Sequence, residues 1–206
     1  MPASNPASAS AHFEALYAAS DDPWQVRASW YEQRKRAVLL ACLDRPHYQR
    51  VFEPGCGNGE LSAALLPRCQ QLLACDGAAS AVAAARRRLA GAGIERVGVE
   101  QCSLPADWPL GQWFDLIIIS ELAYYFDGAG LAALVNGVAA CLADGGLLVL
   151  CHWRHDFADR SASTEQLHAA FASVPRLQRH LFHADADFLL ETFSRSSSTS
   201  ATGAAS

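Results

Sequence analysis

Lysine is almost missing from this chain: Lys35 is the only one among 206 residues, while arginine and alanine are abundant. We read that scarcity as genomic base composition rather than function. No apolar stretch approaches the ~20 residues that a membrane-spanning helix needs, and no basic region followed by an apolar one opens the sequence, so a secretory leader is not expected. The formal net charge is −5, which argues against the basic face of a nucleic-acid-binding protein. The seven cysteines (42, 56, 69, 75, 102, 141 and 151) are odd in number and contain no C-x-x-C pair. That spacing suits small buried side chains kept reduced, not a disulfide framework or a metal site. A soluble cytoplasmic protein without metal or membrane partner is expected.

What is present is an ordinary globular balance, 51% hydrophobic and 18% charged, in one domain by the prior of about 150 residues each. Residues 1–10 and 195–206 are rich in Ser and Ala and are expected to be disordered. The single domain is then 11–194, with 11–45 a helical lid over a site. Residues 11–20 read as a short helix that Pro23 stops. From Trp24 to Leu43 the pattern is helical again, with Trp30 on its apolar face.

Strand signals then alternate with helical ones. "RVFEP", "QLLACD", "RVGVEQC", "FDLIIIS" and "LLVLCHW" read as strands, with helices over 59–67, 78–90 and from 130 to a glycine stop at Asp144-Gly145-Gly146. Within "FDLIIIS" the run Leu116–Ile119 is apolar without a break, as a strand covered on both faces requires. A helix over 163–174 carries a capping-box pair, Ser163 and Gln166. Two more strand-like runs follow, separated only by residues 184–186. So short a gap cannot hold a crossover helix, so they must be antiparallel. The fold class is α/β: three layers, a doubly wound, mainly parallel seven-stranded sheet with a C-terminal antiparallel hairpin.

In such sheets ligands bind at the carboxyl ends of the strands. There stands "VFEPGCGNGE", with Gly55, Gly57 and Gly59 alternating after the first strand. No Gly-Lys-Ser/Thr follows, so this is not a P-loop. The dinucleotide pattern fails as well, because Glu60 occupies the third glycine position. A carboxylate at a helix start competes with a pyrophosphate for the same amides, and Glu53 adds a second negative charge. Acidic groups sit better beside a positive ligand.

The stretch E-x-G-x-G-x-G, from Glu53 through Gly55, Cys56, Gly57 and Gly59, resembles the signature loop of class I S-adenosylmethionine (SAM)-dependent methyltransferases. Asp76 closes the second strand, where an acid can accept both ribose hydroxyls. The resemblance implies SAM as cofactor and S-adenosylhomocysteine (SAH) as product. It implies also that the loop after the third strand reads adenine. There Ser103 stands where the family commonly has aspartate, leaving a hydroxyl or a backbone amide to do so. Leu104 packs on the ring or is plain core.

"DDPWQVRASWYEQRKR", "WPLGQWFDLIIISELAYYF", "CHWRHDF" and "DADFLLETF" appear in that order. Together with the loop they resemble the nodulation S (NodS-like) methyltransferases over most of 12–193. The resemblance implies N-methylation of an amine, in that family on a carbohydrate.

Methyl transfer needs a neutral nucleophile held in line and a route for a proton. Candidates project from the ends of the fourth and fifth strands: Ser120 beside the cofactor, Glu121 to attract or deprotonate an ammonium, His152 as an alternative base. Tyr124 and Tyr125 would orient the amine or cover the sulfonium. Plainer roles stand beside these: a helix-start acid, a strand-end histidine, a packing tyrosine. From the lid, Trp24, Tyr31 and Arg34 would contact the methionine end, Arg34 through its carboxylate. The run "ARRRL" (85–89) reads as a solvated face. Competing readings are an O-methyltransferase, an NAD-type oxidoreductase opposed by Glu60 and the hairpin, and a non-catalytic SAM-binding module.

Overall fold

The computed structural model describes residues 6–93 and 95–197. Its centre is β4 (Phe114–Ser120), where Leu116, Ile117, Ile118 and Ile119 are all wholly buried. Side chains alternate across a strand, so Leu116 and Ile118 enter one apolar core and Ile117 and Ile119 another. Each face is therefore covered, as the unbroken apolar run demanded.

Around it lie β1 (Tyr48–Pro54), β2 (Cys69–Asp76), β3 (Val97–Gln101), β5 (Leu142–Trp153), β6 (Leu177–Ala184) and β7 (Phe188–Arg195). The seven strands run in the order β3-β2-β1-β4-β5-β7-β6. The pairs β3·β2, β2·β1, β1·β4 and β4·β5 are parallel. Both pairs made by β7 are antiparallel. The expected sheet class is the observed one.

The helices are α1 (Pro6–Ala19), α2 (Trp30–Ala41), α3 (Glu60–Leu65), α4 (Ala79–Leu89), α5 (Gly128–Cys141) and α6 (Thr164–Ala172). Among the described residues no helix is long and apolar enough to cross a membrane. Ser163 and Gln166 close the expected capping box on α6.

Several boundaries differ from the sequence reading. Residues 6–10, expected to be disordered, form the start of α1, where proline fits the first helical position because its missing N–H is unneeded. Residues 1–5 and 198–206 lie outside the described residues. Of the remaining tail, Arg195 ends β7 and donates to the Ala139 carbonyl at 2.6 Å.

The helix expected from Trp24 begins only at Trp30. The Asp22 carboxylate accepts the Val26 and Arg27 amides at 2.8 and 3.2 Å, and Gln25 takes φ +54, a conformation that cannot propagate a helix. Trp30 is 75% exposed, not core. The glycine stop at Gly145 is also displaced. Helix α5 gives way directly to β5 at Leu142. Gly145 (φ +72) instead serves an irregularity where the register passes from Phe114↔Leu142 to Leu116↔Leu147.

The cysteines are not all free. Cys75 in β2 and Cys102 just beyond β3 form a disulfide, Cα to Cα 6.0 Å, within the usual range for such a bond. Parallel pairing of β2 with β3 brings together residues that the sequence separates by 27. The arginine run is not simply solvated either. Arg86 donates twice to the Val99 carbonyl, and Arg88 reaches the Asn58 carbonyl and Glu60.

Candidate active site

The carboxyl ends of β1 and β2 build the first half of the site. Gly55, Gly57 and Gly59 have φ of +72, +54 and +77, the left-handed region that side chains resist. A Cβ on Gly59 would come 3.0 Å from that of Ala85, and one on Gly57 would strike the Tyr17 hydroxyl. The amides of Gly55 and Cys56 both bond the Cys75 carbonyl, at 2.7 and 2.9 Å. That of Gly57 bonds Asp76 Oδ2 at 2.9 Å, while Ala78 N–H bonds Oδ1 at 3.0 Å. The Gly77 amide also hydrogen-bonds this carboxylate, so of its about four lone-pair positions one remains for a further donor. Cys56 is buried, and burial drives its thiol well above the ordinary range.

Glu53 departs from expectation. It is 3% exposed and accepts the Ser62 hydroxyl at 2.6 Å. Burial, with Asp76 nearby, pushes its carboxyl up to about 8, which favours the neutral form over the negative charge that the sequence suggests. Glu60 is charge-matched by Arg88 at 2.7 Å and Arg36 at 3.6 Å, so it opposes a pyrophosphate less than the bare sequence suggests.

After β3, Ser103 is exposed and Leu104 half-buried against a core. The Ser103 amide is already committed to Asp107 Oδ2 at 2.8 Å. It cannot be the free donor that the sequence left open. The following turn instead returns a carboxylate, Asp107, to the position beside Ser103.

The second half lies after β4 and β5. Ser120 is half-buried at the end of β4. Glu121 takes φ +53, an unfavourable backbone state for a side-chain-bearing residue and one that clusters at functional sites. Its Oε1 accepts Lys35 Nζ at 2.9 Å; its Oε2 accepts the Tyr124 hydroxyl and, at 3.3 Å, the Trp153 amide. Lys35 also meets Glu32 at 2.9 Å. Burial disfavours its charge, but Glu121 and Glu32 outweigh burial and hold the ammonium above the usual lysine range. The lone lysine, set aside as base composition, is thus a buried charge at the site.

Tyr124 is buried and Tyr125 half-buried, their rings 4.8 Å apart. Burial, then Glu121, raises the Tyr125 phenol to about 12. His152 is wholly buried: Nε2 accepts the Ala123 amide at 3.2 Å and Nδ1 lies 3.1 Å from His168. Burial, then His168, holds it well below the ordinary histidine range, so it is neutral with both nitrogens engaged.

The three N-terminal residues lie apart from one another. Trp24, 44% exposed, packs on Tyr17 and Phe13 on the glycine-loop side. Tyr31 meets Trp153 edge-on at 4.6 Å, at the end of β5, and its buried hydroxyl has no hydrogen-bond partner among the described residues. Arg34 is drawn to the hairpin, 2.6 Å from Asp185 with its guanidinium over Phe188. The sequence reading missed Tyr17, Lys35 and Asp107; only the rarity of lysine in an arginine-rich chain was a signal for one of them.

The fold is that of the class I SAM-dependent methyltransferases. Residues 13–175 match the family of nodulation protein S (NodS), and the chain belongs to that family. It is 32% identical over 134 residues to nodulation protein S of Rhizobium tropici, an alignment covering 64% of this chain and 55% of the relative. The chain thus spans about half the length of that protein. The crystal structure of a Pseudomonas syringae protein provisionally described as a methyltransferase is 45% identical, covering 81% of this chain and all of the other, with a TM-score of 0.70. The N-methyltransferase NodS of Bradyrhizobium japonicum WM9, solved with SAH, shares the fold at 22% identity and a TM-score of 0.80, covering 90% of this chain and 97% of that one.

Proposed function

We propose that this protein methylates an amine nitrogen held at the carboxyl ends of β4 and β5, with amino sugars and short amino-sugar oligomers as the first class of acceptor. The observation that carries the reading is the carboxylate of Glu121, strained in backbone and paired with a buried lysine, among Tyr31, Tyr124, Tyr125 and Trp153.

The residues present fit the cofactor. Asp76, at the end of β2, keeps acceptor capacity beyond the Gly57, Gly77 and Ala78 amides, which suits a ribose hydroxyl. Gly55, Gly57 and Gly59 let the loop turn tightly at the end of β1 through their left-handed backbone, which leaves its backbone to face a ligand. Asp107, the Ser103 hydroxyl and Leu104 would face adenine, and Ser120 the methionine end. When bound, SAM supplies an electrophilic methyl group on a sulfonium.

The chain's own groups handle the acceptor. A carboxylate has about four lone-pair positions; Lys35, Tyr124 and Trp153 take three of those on Glu121. One remains on Oε1 for a donor from outside. An arriving ammonium would fill it, and its charge would be met by the Glu121 carboxylate and by the faces of the surrounding rings. An ammonium has no lone pair, so its proton must leave before transfer. Glu121 is the group placed to receive it. Trp24 would cover the cofactor side and Tyr31 the acceptor side of the lid. Arg34 would brace the hairpin, and His152 would act as scaffold, not base.

The test is incubation with SAM and a panel of glucosamine, partly deacetylated chitooligosaccharides and matching hydroxyl-only sugars, read by mass spectrometry. Methylation of the amines alone supports the reading. Methylation of hydroxyls in preference would make this an O-methyltransferase. Binding of SAH with no transfer to any acceptor would favour a non-catalytic module.

A further inference from the structure

Ala123 opens the single 3-10 turn (Ala123–Tyr125) that carries both tyrosines. Its N–H, at the head of the turn, has no partner inside it, and the residue is wholly buried. His152 Nε2 answers that amide at 3.2 Å. A neutral imidazole accepting at Nε2 carries its proton on Nδ1. That proton faces His168 Nε2 at 3.1 Å, so His168 must accept there and carry its own proton on Nδ1. His168 Nδ1 lies 2.7 Å from Glu191 Oε2, and Glu191 Oε1 accepts Arg179 at 2.8 Å.

Every donor in this chain points the same way, from Ala123 to Glu191. It crosses the turn, β5, α6 and β7, and only its last member, Arg179 on β6, is half exposed. His152, His168 and Glu191 are 0, 2 and 3% exposed. A buried polar chain is costly unless fully satisfied, and this one is satisfied and defines a single arrangement. Tyr124 is also gripped elsewhere: Ser161 N–H bonds its carbonyl at 2.8 Å and its hydroxyl bonds Glu121.

We propose that His168 and Glu191 are positioning residues for methyl transfer, acting through His152 to hold the Ala123–Tyr125 turn, and with it Tyr124 and Glu121, against the acceptor. The proposal rests on the reading of Glu121 and Tyr124 as the acceptor site. Neither residue touches cofactor or acceptor.

The experiment uses the full chain labelled with 15N. Imidazole spectra should show His152 and His168 both neutral and protonated at Nδ1, and the Ala123 amide should be protected from exchange. His168→Phe should expose that amide and lower kcat on glucosamine-containing oligomers on the order of tenfold, a cost in line with a small misplacement of reacting groups. KM and SAH affinity should stay within about twofold. Glu191→Gln, which keeps an acceptor toward His168, should retain most activity and Ala123 protection, whereas Glu191→Leu should lose both.

An Nε2-protonated or charged His152 in the wild type would overturn the proposal. So would a folded His168→Phe variant with unchanged exchange and kcat, or a fall of kcat, KM performance and SAH affinity together. If His168→Phe does not fold, the two Glu191 variants decide. If the wild type methylates no amine, the acceptor reading fails, while tautomers and Ala123 exchange still show whether the chain holds the turn.

Discussion

Lys35 Nζ lies 2.9 Å from Glu121 Oε1, joining helix α2 to the end of β4 across 86 residues of sequence. The lysine side chain is 6% exposed and the glutamate 29%. This pair ties the N-terminal segment to the end of β4 and holds a carboxylate at the place we propose for the amine.

Lys35→Met should therefore leave Glu32 and Glu121 facing each other without their shared cation. Breaking one side of a buried pair costs about 3 kcal/mol or more; urea unfolding should show a loss of about that size. Lys35→Arg should recover part of it. A Lys35→Met variant as stable as the wild type would mean that the cluster is not an ion pair in solution.

Glu53 predicts a pH dependence. Its folded value, about 8, stands above the ordinary 4.5, so between those values the folded state holds a proton that the unfolded chain has lost. Its contribution is fully present below about 4.5 and falls as pH rises toward 8, with a limiting slope of about 1.4 kcal/mol per pH unit. Glu53→Gln should flatten this part of the stability profile between pH 5 and 8. Parallel profiles for the two proteins would show that Glu53 ionises normally.

The Cys75–Cys102 bond predicts a thiol count. Denatured without reductant, the protein should alkylate at the five free cysteines, 42, 56, 69, 141 and 151, and at all seven only after reduction. Peptide mapping locates the two late sites. Seven modified cysteines before reduction would mean two free thiols at 75 and 102.

Asp107 stands where its carboxylate holds the Ser103 amide. If it reads the adenine edge, Asp107→Ala should weaken SAH about tenfold by calorimetry, near 1.4 kcal/mol. The variant should leave folding nearly unchanged, because the residue is exposed. Unaltered SAH affinity would move adenine recognition elsewhere.

Local chemistry made much of this protein legible. The short apolar run Leu116–Ile119 suits a strand covered on both faces, and the observed β4 is that strand. The turn between β6 and β7 is too short for anything but an antiparallel return. The Ser163–Gln166 cap and the left-handed glycines of the loop were likewise readable, since each depends on residues within a few positions.

What the tertiary structure alone decided is how distant groups answer one another. Glu53 looked like a charge and is a buried acid whose carboxyl burial pushes up to about 8. Lys35 looked like base composition and is the partner of Glu121. Trp30 looked like core and faces solvent, while His152 looked exposed to chemistry and is locked inside a chain of hydrogen bonds. Cys75 and Cys102 became neighbours only through the pairing of β2 with β3. Periodicity reports which face a residue takes, but protonation state and partner depend on what the strand order brings within a few ångströms and on how much water that packing removes.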